Sequence, residues 1–231
     1  MDDLSGWTAR ERPARASLEG RFVRLEPLDA VRHGDGLYAA SATADADERF
    51  RWLSEIAPQD RQGFDVWLEK AVASEDPSHF AVIDGVSGRI AGRQSFMRID
   101  TGNGVVEIGS ILWNDPVARR PAATEALFLF ARHAFDELGY RRFEWKCNNL
   151  NTPSKRAALR FGFTFEGVFR QHMVVKGQSR DTAWFSMIDK DWPLIREAFE
   201  TWLAPQNFDA GGMQKRRLED IRSGLAGGRK N

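Results

Sequence analysis

Along residues 21–28 apolar and polar positions alternate. Val23 and Leu25 stand against Arg24 and Glu26, and Pro27 closes the run, as in a half-buried strand. Asp29 can cap a helix reaching about Ala42, after which residues 43–60 read as loop. Phe64, Trp67, Leu68, Ala71 and Val72 then share one face at helical spacing and predict a second helix. Strands over 80–83 and 90–99 flank Asp84-Gly85-Val86-Ser87-Gly88, whose glycines suit a hairpin turn. Thr101-Gly102-Asn103-Gly104 turns the chain into a further strand over 105–113. Three neighbouring antiparallel strands follow from this pattern.

The period lengthens again where Leu127, Phe130, Ala131, Ala134, Phe135 and Leu138 mark the apolar face of a helix. It starts near Ala122, Gly139 ends it in a left-handed cap, and His133 falls on its exposed face. Phe143, Trp145 and Cys147 then alternate with Arg142, Glu144 and Lys146, completing a strand, helix, strand unit. A short helix follows, with Asn151 or Thr152 as cap, Pro153 in its first turn, Ala157, Ala158 and Phe161 inward, and Gly162 as terminator. Strands over 164–175 and 181–188 and a helix over 192–203 complete an α/β (α+β) pattern.

At 231 residues, the chain can bury a full core as one large domain. Apolar residues at 42% and charged residues at 29% exclude the disordered and membrane classes. We divide it into an arm (1–17) in which Trp7 can dock, a domain (18–203), and a partly ordered tail (204–231). The 33 basic side chains equal the 33 acidic ones, so no net field recruits nucleic acid or a membrane surface, and an anion site must be local. Lys215-Arg216-Arg217 could touch RNA, but beside Glu219 and Asp220 it reads more simply as a solvated helix face. The lone Cys147 has no disulfide partner and no signal peptide opens the chain, which fits a cytoplasmic protein, monomer or homodimer. Its thiol alternates inward with Trp145 and has no base, so it reads as inert. His33, His79, His133 and His172 lack the spacing of metal ligands, so no metal is expected.

Chemistry concentrates in residues 111–125. A strand ends at Trp113, Asn114-Asp115-Pro116 form a loop, and Arg119-Arg120-Pro121-Ala122-Ala123-Thr124 open the long helix. Free N–H groups, the positive end of the helix dipole, small side chains and two arginines together suit an anion. This segment resembles the pyrophosphate loop of the GNAT acetyltransferase superfamily, which runs Gln or Arg, two residues, Gly, one residue, then Gly or Ala. Val106-Glu107-Ile108-Gly109, Asn151-Thr152-Pro153-Ser154 and Phe161-Gly162-Phe163 match that superfamily in order, and Glu166-Gly167 looks like its RimJ/RimL branch. The resemblance spans about three quarters of the chain.

It implies a mixed, mostly antiparallel sheet of six or seven strands with helices on both faces, binding acetyl-CoA and passing its acetyl group to an amine in a ternary complex. The backbone of Ile111, Leu112 and Trp113 would pair with the pantetheine arm and Asn151 would contact it, while Arg119, Arg120, Ala122, Ala123 and Thr124 would hold the phosphates. Two departures stand out. Ala122 and Thr124 replace residues that are usually glycine or Gly/Ala, so a loop needing positive φ would be strained there, although the Thr124 hydroxyl can donate to a phosphate. Ala158 stands where many relatives have a tyrosine acid.

Ser154 is then the nearest family-matched hydroxyl, either for the thiolate or as a cap of the short helix. Glu107 is the expected base. It lies in an apolar strand, where desolvation would raise its pKa toward the useful range. Glu166 is its rival, and a salt bridge to an arginine such as Arg93 or Arg170 is the structural alternative for both. Phe50, Trp52 and Leu53 precede the second helix, where acceptors bind in this superfamily, and serve either as pocket or as core. His172 is a further candidate substrate contact or a structural residue. The acceptor is a protein N-terminus or a small-molecule amine. A noncatalytic CoA-binding domain that kept the fold is the competing reading.

Overall fold

In a computed structural model that describes residues 3–114 and 117–228, Val23 and Leu25 are fully buried while Arg24 between them is exposed. Such alternation builds a sheet of eight strands, one or two more than expected: β1 (Leu18–Glu19), β2 (Val23–Pro27), β3 (Ser78–Asp84), β4 (Ile90–Asp100), β5 (Val105–Trp113), β6 (Arg142–Asn148), β7 (Thr164–Val175) and β8 (Gln178–Ile188). The addition is β1, whose two residues are too short to show a period. The spatial order is β1-β2-β3-β4-β5-β6-β8-β7, with only β5 and β6 parallel. That pair is joined by the expected crossover helix.

On one face, α1 (Ala30–Ser41) and α3 (Arg61–Ala73) pack Leu37, Phe64, Leu68 and Ala71 against Ala81. Asp29 and Asp60 cap them, accepting from the Arg32 and Gly63 amides. Residues 43–60, expected to be loop, contain the short helix α2 (Ala46–Phe50), which has too few turns to display a period. On the other face, α4 (Pro121–Arg132) and α6 (Trp192–Leu203) cover Phe80, Phe96, Val106 and Phe143. Phe130 of α4 stacks on Phe96 with ring centroids 3.8 Å apart.

The last turn of α4 widens to π geometry over His133–Glu137. His133, expected on an exposed face, is buried there beside Glu137. Gly139 and Gly162, at φ 66° and 99°, end their helices in left-handed conformations.

Both ends of the chain pack against the domain. The Trp7 indole donates to the Gly102 carbonyl at 2.7 Å, and Tyr140 donates to the Glu11 carbonyl. After Leu203 the described residues, to 228, pack against the domain. Phe208 meets Phe22 and Trp202 edge-on, and α7 (Leu218–Gly228) buries Leu218 and Ile221. Arg222 of α7 donates to the last carbonyls of α5 (Thr152–Phe161), at Leu159 and Arg160. Among the described residues no helix is long and apolar enough to cross a membrane.

Candidate active site

The β5–β6 ladder stops at Ile108 and Trp145, although β5 runs on to Trp113 and β6 to Asn148. The strands therefore part and leave a gap in the middle of the sheet. A bulge assists the parting: Arg93 faces Leu112 and Ser95 faces Gly109, so β5 uses an extra residue at Ser110, whose φ is 50°. The resulting cleft, about 210 Å³, is lined by Glu107, Gly109, Ile111, Lys146, Asn151 and Ser154 together with Trp52 and Leu53 from the segment after α2. A Cβ at Gly109 would collide with the Met97 sulfur and stand 3.6 Å from Glu107 Oε1, so the missing side chain keeps the floor open.

Ile111 continues the cleft into a groove of about 640 Å³ at the start of α4. Trp113, Arg119, Arg120, Ala123 and Thr124 line it. Among the described residues neither Arg119 nor Arg120 has a carboxylate partner. Asp115 and Pro116 of the preceding loop lie outside the described residues.

The backbone strain expected at Ala122 and Thr124 is absent; the residue at positive φ is Arg119, at 60°. Ala122 and Thr124 lie inside α4, which Pro121 opens. Ala122 packs into the core instead of facing the groove, and so does the Leu112 side chain, which joins Ala46, Phe50 and Ala57. Phe50 is thus a core residue that also lines a second cavity, with Trp67 and Arg93.

Sequence reasoning missed Arg160. Its guanidinium lines the groove, donates to Thr124 Oγ1 at 3.0 Å and lies over the Trp202 ring. The Thr124 hydroxyl accepts this bond and keeps its own hydrogen for another partner. The signal was present: Pro153, Ala157 and Arg160 share one face of α5 at helical spacing. Gly212, Met213 and Gln214 of the C-terminal segment form the far wall.

Glu107 is buried, and Arg98 (2.7 Å) and Lys146 (3.0 Å) both bind its Oε2. It is therefore not the unpaired carboxylate of an apolar strand: β6, its parallel neighbour, brings Lys146 to the same face. Its salt-bridge partners are neither Arg93 nor Arg170. Both cations take one oxygen, and Oε1 faces the space above Gly109.

Glu166 lies outside the cleft lining, gripped by Arg142 at 2.8 and 2.5 Å and by the Ser186 hydroxyl. The Arg142 contacts hold its carboxyl below the usual range, against basicity. His172 is also outside the lining; its Nδ1 meets Thr182 Oγ1 and its ring lies against Trp184.

At the other end of the cleft, Asn151 caps α5 by accepting from the Ser154 amide. Among the described residues the Asn151 Nδ2 has no hydrogen-bond partner. Ser154 is free of the capping role; its Oγ accepts from the Trp145 indole at 2.9 Å, and its hydroxyl also lies in hydrogen-bonding contact with the Cys147 thiol. Cys147 is buried beside it, and burial pushes its thiol up, as for an inert residue. Neither Tyr38 nor Tyr140 lines the cleft, and burial pushes Tyr140 up to about 12. Among the described residues no group of three or more metal-ligating side chains occurs.

Comparison with known proteins accords with this geometry. Residues 23–164 match the acetyltransferase (GNAT) domain family. The crystal structure of a GCN5-related N-acetyltransferase from Brucella melitensis is similar over 95% of this chain and 100% of that one, with 60% identity and a TM-score of 0.94. An uncharacterised N-acetyltransferase, p20, of Bacillus licheniformis is 29% identical over 115 residues, covering 50% of this chain and 64% of that protein, so less than two thirds of its length is matched. RimL, a ribosomal-protein α-N-acetyltransferase solved with coenzyme A, shares the fold at 19% identity and a TM-score of 0.64, over 76% of this chain and 99% of that one.

Proposed function

The chain belongs to the GNAT acetyltransferase family, and from that premise we propose that it transfers the acetyl group of acetyl-CoA directly to a primary amine while both are bound. The acceptor amine belongs to a small molecule or a protein N-terminus. The observation that carries the reading is the continuity of a basic groove at the start of α4 with a cleft holding a carboxylate and a hydroxyl. Three guanidinium groups, Arg119, Arg120 and Arg160, fit a pyrophosphate, and the parted edge of β5 at Ile111 and Trp113 fits an extended amide chain laid beside it. Bound acetyl-CoA supplies an activated thioester carbonyl.

Glu107 Oε1 takes a proton from the acceptor's ammonium, directly or through one water; the freed amine's lone pair forms the C–N bond as the C–S bond breaks, and the second N–H proton ends on the departing thiolate. The Ser154 hydroxyl would donate a hydrogen bond to that thiolate, and the Trp145 indole bonded to its oxygen makes it a better donor. Asn151, from the cap of α5, offers its Nδ2 to the pantetheine arm.

The test combines calorimetric titration with CoA and thiol release from acetyl-CoA across a panel of primary amines. Glu107→Gln should lower kcat/KM by about 10²- to 10⁴-fold and abolish the rise of kcat/KM with pH that a general base produces, whereas Glu166→Gln should leave both unchanged. A Glu107→Gln enzyme with wild-type kcat/KM and pH profile would overturn the base assignment. CoA binding without thiol release for any amine would instead describe a noncatalytic CoA-binding domain.

A further inference from the structure

The ion pairs under the cleft balance among themselves. Arg98, Lys146 and Arg142 are joined in one chain with Glu107, Glu144 and Glu166, three cations against three carboxylates. Glu55, at the rim, is taken by Arg93 at 2.5 Å. Arg49 donates to the Trp113 carbonyl and to Asn114.

Arg180 is left over. It stands on β8 opposite Met173 and lines the cleft together with Glu107 and Lys146. Among the described residues it makes no hydrogen bond and no ion pair, and its Nε is sealed from solvent without an acceptor. An unsatisfied buried donor on a cation is costly, and at the wall of a cleft a bound anion would satisfy it. Desolvation holds the guanidinium below its ordinary pKa, while Cys147 and Glu107 draw it up and Arg98 opposes them.

We propose that Arg180 binds an anionic group of the acceptor, and that the acceptor is a small amine carrying a carboxylate beside its nitrogen. The inference rests on the acetyl-transfer reading and narrows its substrate class. A small acceptor fits the space, because the cleft of about 210 Å³ must also admit the thioester. Two of its walls are tied together: Lys176, at the tip of the β7–β8 hairpin, donates to the Phe50 carbonyl at 2.8 Å and so joins the hairpin bearing Arg180 to the segment bearing Trp52 and Leu53. A planar guanidinium matches a carboxylate through two parallel hydrogen bonds, which fixes the acceptor's orientation and leaves its amine to Glu107.

Matched pairs of amines test this: L-alanine and L-phenylalanine, each beside its carboxamide, with trialanine amide as a neutral peptide. Thiol release from acetyl-CoA should show carboxylates preferred at least about 10-fold in kcat/KM. An α-carboxamide lowers the basicity of its amine and leaves more of it neutral, so that preference cannot come from the amine. In Arg180→Gln the preference should collapse to within about 2-fold, mainly through KM, with CoA affinity unchanged and no fall in Tm. The proposal is overturned if carboxamides or the peptide are used as well as the carboxylates or better, if the preference survives in Arg180→Gln, or if other amines are acetylated and no carboxylate is used. Failure of the acetyl-transfer reading is distinguishable, as no amine of any kind would then release thiol, whether or not CoA binds.

Discussion

Arg160 shows how a single side chain acquires a role from its surroundings. On the sequence it is one of two arginines of a short helix; in the fold it shares the groove with Arg119 and Arg120, lies on Trp202 and holds Thr124. Burial keeps its guanidinium below the ordinary pKa, with Glu219 drawing it up and Arg222 opposing that. Arg160→Ala should therefore raise the Kd for CoA about 10-fold or more, as expected for the loss of a charge-assisted contact of roughly 1.5–3 kcal/mol. Arg156→Ala, on the exposed side of the same helix, should leave it unchanged. Equal CoA affinities for the two variants in a calorimetric titration would place the phosphates elsewhere. The Ser154 assignment shows the converse. Asn151 and Ser154 were equally eligible as caps by type, and only the observed Asn151–Ser154 bond separates the roles.

Between elements, Glu125 connects the opening of α4 to the first strands. Its buried carboxylate accepts from the backbone amides of Arg21 (2.9 Å), Phe22 (2.5 Å) and Val23 (3.0 Å). Gly20 makes room, since a Cβ there would overlap that carboxylate. The bonds fix the β1–β2 turn against the helix whose N-terminus forms the groove. Glu125→Ala leaves these amides without partners and should destabilise the protein by about 3 kcal/mol in urea unfolding, with Glu125→Gln intermediate. A change below about 0.5 kcal/mol in Glu125→Ala would show that water replaces the carboxylate at no cost. Arg222 makes a similar link from α7 to the end of α5, so the C-terminal segment supports the helix that presents Ser154 and Arg160.

For the molecule as a whole, the acid side of the stability curve should be governed in part by His79. Burial, with the Arg93 charge second, lowers its pKa to about 4, and its Nδ1 has no partner. In the unfolded chain the ring titrates near 6.5, so below that pH the unfolded state binds a proton that the native state refuses. The stability this represents is complete above about pH 6.5 and is lost as the pH falls toward 4, by about 3 kcal/mol in all. Urea midpoints should therefore drop between pH 7 and pH 4.5, and more steeply in the wild type than in His79→Phe, which keeps the contact with Trp67. Parallel curves for the two proteins would remove His79 from the account.

Local periodicity was enough for most elements because each buries one face: β2, α3, α4, β6, α5 and the β7–β8 hairpin follow from which side chains need shelter. Segments too short for a period, β1 and α2, could not be read that way. The C-terminal segment could not either, since its order comes from contacts with Phe22, Trp202 and α5 rather than from its own composition. The residues of the proposed phosphate loop were legible because they are contiguous at a helix start, and the same contiguity made Glu107 and Ser154 candidates. What surrounds them was not. The pairing of Glu107 with Arg98 and Lys146, the removal of Glu166 by Arg142, the entry of Arg160 and the isolation of Arg180 all depend on strands and helices distant in sequence. The sequence determined which elements form, because hydrophobic burial acts on local pattern. Only the tertiary structure decided which charges are neutralised, because Coulomb interactions depend on distances in space that the order of residues does not contain.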